Sequence, residues 1–112
     1  MVLQVQAELL ARGISVAALV AHDIDNRRVA PELVAYRQRT AQRLAAHWKN
    51  RSVSSHPALA GYRALHEEFG AGEEIPSAEK LLTYVRRHRD FISSNALVDC
   101  YNLVSARTLL SI

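Results

Sequence analysis

From residue 95 to residue 110, at 100° per residue, Leu97, Val98, Tyr101, Leu103, Val104, Leu109 and Leu110 spread around most of a helix's circumference. A helix apolar nearly all round belongs at the centre of a fold. The spacing therefore predicts a central fourth helix beginning about Asn95, with no stop signal before Ile112. Its polar side is Asp99 and Asn102, three residues apart on one face. A carboxylate and an amide on a buried helix cost free energy unless they are hydrogen-bonded. They either clamp neighbouring backbone or line a polar pocket, and the clamp asks less of the rest of the chain.

Three further helices are expected upstream. Pro31 suits the first turn of a helix running to about Lys49, with Leu33, Val34, Ala41, Leu44, Ala45 and Trp48 on its apolar face. Pro57 opens a second helix, capped by His56 or Ser55 and stopped by Gly70. Ser77 is the expected N-cap of a third helix, with Glu79 in its first turn and Ala78, Leu81, Leu82 and Val85 buried. Ahead of these, Leu3, Val5, Ala7 and Leu9 alternate with polar residues, which reads as a half-buried strand. Residues 14–21 are apolar on both alternating sets apart from Ser15, which reads as a second, deeper strand. Residues 22–28 are polar and read as a loop. The expected class is α+β, two N-terminal strands followed by about four helices. Two strands make a poor sheet, so further strand partners are expected, from more chain or a second copy.

The chain has 112 residues, 49% hydrophobic and 22% charged, enough for one small domain and too apolar for disorder. A single cysteine, Cys100, excludes a disulfide framework and a cysteine-based zinc site, and its apolar setting suggests a buried, inert thiol. No apolar run is long enough to cross a bilayer. Nor do the first residues form a secretory signal, so a reducing cytoplasm is expected.

The net charge is only +3, but its distribution is uneven. Between residues 27 and 63 stand Arg27, Arg28, Arg37, Arg39, Arg43, Lys49, Arg51 and Arg63 against one acid, Glu32. Such a segment can offer a basic helix face to a phosphate backbone, or it can be a solvated face with folded-state acidic neighbours. Arg37 falls inside the apolar arc of its helix. It must snorkel, pair with a carboxylate or face a ligand, and Asp99 is one candidate partner.

Familiar catalytic patterns are absent: no Gly-x-Ser-x-Gly elbow, no glycine-rich phosphate loop, no His-Glu-x-x-His pair. His22, Asp23 and Asp25 are more simply a polar loop than a metal site. His66 sits on an apolar stripe as a hydrogen-bonded core histidine would, and adjacent Glu73 and Glu74 lack the spacing of a general acid and base.

His56-Pro57, Tyr62, Phe69-Gly70, Pro76-Ser77 with Glu79, Leu81 and Leu82, Asn95, Leu97-Val98-Asp99 and Tyr101-Asn102-Leu103-Val104-Ser105 together resemble the B3/B4 domain. That domain is the editing module of the bacterial phenylalanyl-tRNA synthetase beta subunit and also occurs as free-standing proteins. The resemblance starts at Leu3 and is carried mainly by residues from His56 onward, spanning the N-terminal part of such a domain. It implies a mixed α/β domain that binds the aminoacylated end of tRNA. In a complete domain it also implies attack of water on the ester of a wrongly attached amino acid, with no metal or organic cofactor. Tyr101-Asn102 matches a Thr-Asn pair of the editing pocket, so Asn102 keeps its type while Tyr101 replaces the threonine. Asp99 matches a structural acid one turn earlier. The family's pocket histidine and glutamate come from later segments, so no catalytic residue is assigned and this chain is expected to be inactive alone.

The expected site is thus Asn102 and Tyr101 toward the aminoacyl end, with Arg37, Arg39 and Arg43 toward the tRNA backbone. The expected partners are tRNA, no membrane, and a second copy or chain completing the domain. The alternative is a non-catalytic protein-interaction or structural module. A DNA-binding helical protein is weaker, since no helix-turn-helix pattern is present.

Overall fold

A computed structural model describes residues 4–27 and 30–112. Five helices follow in order: α1 (Ala7–Ala11), α2 (Pro31–His47), α3 (Pro57–Glu68), α4 (Ser77–His88) and α5 (Ala96–Thr108). Among the described residues there is no strand. The two-strand α+β expectation is therefore overturned, and with it the mixed α/β domain that the B3/B4 resemblance implies; among the described residues the architecture is all-helical. Where the first strand was expected, Ala7, Glu8, Leu9, Leu10 and Ala11, mostly good helix formers, make a short helix instead. Residues 14–22 are free of regular structure, because a lone apolar run has no neighbouring strand to complete its ladder. Leu3 and Arg28 lie outside the described residues.

The core is built where α2, α4 and α5 pack on one another. Each contributes one fully buried alanine (Ala41, Ala78 and Ala106), small enough to admit its neighbours' larger side chains. Around them close Trp48, Leu59, Leu82, Val85 and Leu103. Val53 and Phe91, from the connections after α2 and α4, complete the cluster. Burying side chains such as Leu82 and Val85 stabilises by about 1.5–3 kcal/mol each. α3 joins through Leu59 and through Tyr62, whose hydroxyl accepts the Ser111 N–H at 3.0 Å.

Helix ends follow local chemistry. Pro31 and Pro57 stand at helix starts, where a missing N–H costs nothing. His56 caps α3, its Nδ1 accepting the Ala58 N–H at 3.2 Å. α5 is capped twice: Asn95 Oδ1 accepts from Val98 N–H at 2.9 Å and Asn26 Oδ1 from Leu97 N–H at 2.8 Å. The second cap ties the N-terminal segment to the last helix. Ser77 is not the N-cap of α4. Pro76 holds that position, and the Ser77 hydroxyl meets that of Ser111 at 2.6 Å. α5 does have a stop: Leu109 turns left-handed, φ 63°, and its N–H returns to the Ser105 carbonyl.

α5 is not central either. Asp99, Leu103, Ser105 and Ala106 face the core, while Leu97, Tyr101 and Val104 are exposed on the other side. Cys100, expected buried, is exposed on that outer side. The molecule is flat, 44 × 41 × 19 Å, with a radius of gyration of 15.8 Å where a compact chain of this length gives about 13 Å.

Two substitutions test these helix ends in chemical denaturation. Asn95→Ala removes a cap and is expected to lower stability by about 1 kcal/mol. Arg89, exposed and left-handed at the end of α4 with φ 56°, stands where glycine carries no Cβ penalty. Arg89→Gly is expected to raise stability by about 0.5–1 kcal/mol.

Candidate functional site

Arg37 and Asp99 meet inside the protein. Arg37 projects from α2 and Asp99 from α5, and Arg37 Nη1 donates to Asp99 Oδ2 at 2.7 Å. Their side chains are 11% and 1% exposed, so the pair is desolvated. Ser93 Oγ donates to the same oxygen at 2.9 Å, and Asp90 Oδ1 lies 3.8 Å from Arg37 Nε. Asp99 is thus a clamp, but on side chains of α2 and of the α4–α5 connection rather than on backbone. The contact is single-pronged: Arg37 Nε and Asp99 Oδ1 have no hydrogen-bond partner among the described residues.

A second pair, partly exposed Arg63 with buried Glu79, was not foreseen. Arg63 Nε donates to Glu79 Oε2 at 2.6 Å, and Nη2 reaches Oε1, giving a two-pronged fork between α3 and α4. Glu79 is 5% exposed. Its place three residues before buried Leu82, on the same helix face, was the available signal. The hydrogen bond to Glu79 holds the Arg63 guanidinium above its ordinary range, although desolvation pulls the other way. A raised cation lends stability that is lost only as pH climbs past that alkaline range, so this side of the pair is silent near neutrality.

With Arg37 buried and Arg63 engaged by Glu79, the basic segment looks different. Arg39 and Arg43, one turn apart, are exposed on α2 and have no ion-pair partner among the described residues. Lys49 and Arg51 follow on the exposed connection, and Arg86 Nη1 donates to the Arg51 carbonyl at 3.1 Å. Arg86 also borders a polar hollow of about 170 Å³ with Ser52, Ser54, Thr83 and Glu79. Arg27 is exposed and lies 3.5 Å from Asp25.

Tyr101 and Asn102 do not share an enclosed pocket. Tyr101 is exposed on the outer side of α5, and Asn102 is half-buried at the edge of the core, its amide making no hydrogen bond to another described residue. A groove of about 430 Å³ runs between α2 and α5, lined by Leu33, Tyr36, Cys100, Leu103, Val104, Arg107 and Thr108. Arg107 bridges it, donating to the Tyr36 hydroxyl. His66 is hydrogen-bonded, its Nδ1 2.9 Å from the Glu74 carbonyl, but it is half-buried and stands outside the core cluster where a core histidine was expected. No group of three metal-ligating side chains occurs among the described residues, and no helix there is long and apolar enough to cross a membrane. Compared with known proteins, the chain matches no family model, no curated protein and no solved structure.

The buried pair makes a sharp prediction. Arg37→Ala leaves Asp99 charged and unpartnered, and is expected to cost about 3–5 kcal/mol. Replacing both partners, Arg37→Met with Asp99→Leu, removes the uncompensated charge and is expected to recover most of that loss. Urea denaturation of the two variants checks the contrast.

Proposed function

We propose that the chain is a tRNA-binding module related to the B3/B4 editing domains, acting in this form by binding rather than by hydrolysis. The observation that carries the reading is the sorting of cations along residues 27–63. Arg37 is buried on Asp99, and Arg63, itself partly exposed, is held by the buried Glu79; both serve the fold. Arg39, Arg43, Lys49 and Arg51 stay outward along α2 and the connection that follows. Outward cations without acidic neighbours retain their full attraction for a phosphate backbone, and each phosphate they neutralise releases condensed counterions. Arg37, held by Asp99, is left out of this contact.

The residues that carry the B3/B4 resemblance support the same reading from another side. Several of them are the joints of the fold: Glu79 in the fork, Leu82 in the core, Asp99 in the clamp, Asn95 as cap. Asn102 and Tyr101 are not used by the fold in this way. An unengaged amide beside an exposed aromatic ring suits the unpaired aminoacyl end of a tRNA, through hydrogen bonding and base stacking.

Fluorescence anisotropy with deacylated tRNA tests the proposal. Affinity is expected to fall with salt, with a log–log slope of about 0.7–0.9 per phosphate contacted. Arg39→Glu with Arg43→Glu is expected to weaken low-salt binding by at least about tenfold and to flatten that slope by about 1.5. Both residues are exposed, so the melting temperature should hold. Unchanged low-salt binding by the double variant would remove tRNA from this helix.

A further inference from the structure

The structure leaves an unusual amount of apolar surface open. Its accessible area is 8312 Å², whereas a compact chain of 12.5 kDa exposes about 6,200 Å². Two of the open apolar surfaces bear on each other. One is the segment between α1 and α2. Leu19 there is 96% exposed, and Val16, Val20 and Ile24 are each about half exposed. Residues 15–24 make no backbone hydrogen bond to another described residue. Contacts to other described residues hold its ends, Arg12 on Glu68 and Asn26 on the first turn of α5. The other is the outer side of α5, where Leu97, Tyr101 and Val104 form an apolar stripe beside the groove against α2.

We propose that these two surfaces meet across a twofold axis, so that residues 14–24 of one copy lie on the outer face of α5 and the α2–α5 groove of a second copy. Three features fit a second copy as the occupant. The segment and the stripe are both apolar and both exposed among the described residues, so each supplies what the other lacks. Exchange about a twofold axis makes the contact twice and closes the assembly at two. Charge agrees with the register: the apolar run is followed by Asp23, and the groove is edged by Arg107. This inference uses none of the basic row on α2, but it covers the Tyr101 ring, so the contact between copies and base stacking on Tyr101 exclude one another.

Light scattering on the full chain across a dilution series tests it. The expected result is a reversible dimer that tightens or holds as salt is raised. Leu19→Asp and Val104→Asp are each expected to weaken dimerisation by about tenfold or more, the effect of losing one large apolar anchor. Both side chains are exposed in the single copy, so the helical circular dichroism of each variant should be unchanged. Cross-linking gives the geometry. A tagged Leu19→Cys/Cys100→Ser chain is mixed with the untagged native chain under mild oxidation. A disulfide between the two is expected, and a Glu73→Cys/Cys100→Ser chain should give none above background. A monomer at every concentration, an open-ended series of larger species, a dimer indifferent to both substitutions, or equal cross-linking from the two positions would each overturn the proposal.

Discussion

The arrangement of this molecule depends on one buried ion pair. Arg37 of α2 and Asp99 of α5 face each other where two of the three core helices meet. Two charges at that depth are costly, and the attraction between them offsets the cost only while both are present. The pair therefore does more to choose an arrangement than to add stability. A slip of α5 by one residue along α2 would carry Asp99 about 100° around its axis and strand Arg37 in an apolar arc. Ser93 and Asp90 lie against the same arginine–aspartate pair, so the connection out of α4 is placed by it as well. The Arg63–Glu79 fork does the equivalent for α3 against α4 at a wetter position. Two ion pairs thus fix how the helices sit, and the alanines at the crossings allow them to sit that closely.

The same two pairs decide what the basic segment can do. By residue count the stretch is a block of positive charge, but count carries no direction. Arg37 and Arg39 are two positions apart on one helix and point to opposite fates, one into the protein and one to solvent. Cations already facing a buried carboxylate have little field left for a ligand. Any attraction for a polyanion has to come from Arg39, Arg43 and the connection after α2, a narrower strip than the composition suggests.

Much of the helical part was legible because it rests on local chemistry. Proline at two helix starts, the Asn95 cap and the apolar faces of α2 and α4 are written within a few residues of where they act. Arg37 advertised itself as an anomaly within an apolar arc, and Asp99 as the nearest buried acid. Glu79 was hidden because an acid in a first turn already has a sufficient local reason. Val53 and Phe91 were hidden because connections carry no periodicity to expose a buried position. The N-terminal segment failed for a different reason. Alternation reports that two faces of a chain differ, but a strand needs a neighbour to hydrogen-bond, and no described segment supplies one.

α5 shows why hydrophobicity around a helix is not the same as depth in a fold. Its apolar residues divide into two sets about half a turn apart. Leu103 and Ala106 are used by the core; Leu97, Tyr101 and Val104 are not. A flat molecule 19 Å thick has room for one layer of helix packing, so a helix apolar on both sides satisfies one side within the layer and presents the other. The pattern read as centrality in a single domain is equally the pattern of a helix between two layers. The second layer must be apolar, and must come from outside the three-helix core. The segment between α1 and α2, with Val16, Leu19, Val20 and Ile24 open to solvent, is a part of the described chain whose composition meets that requirement.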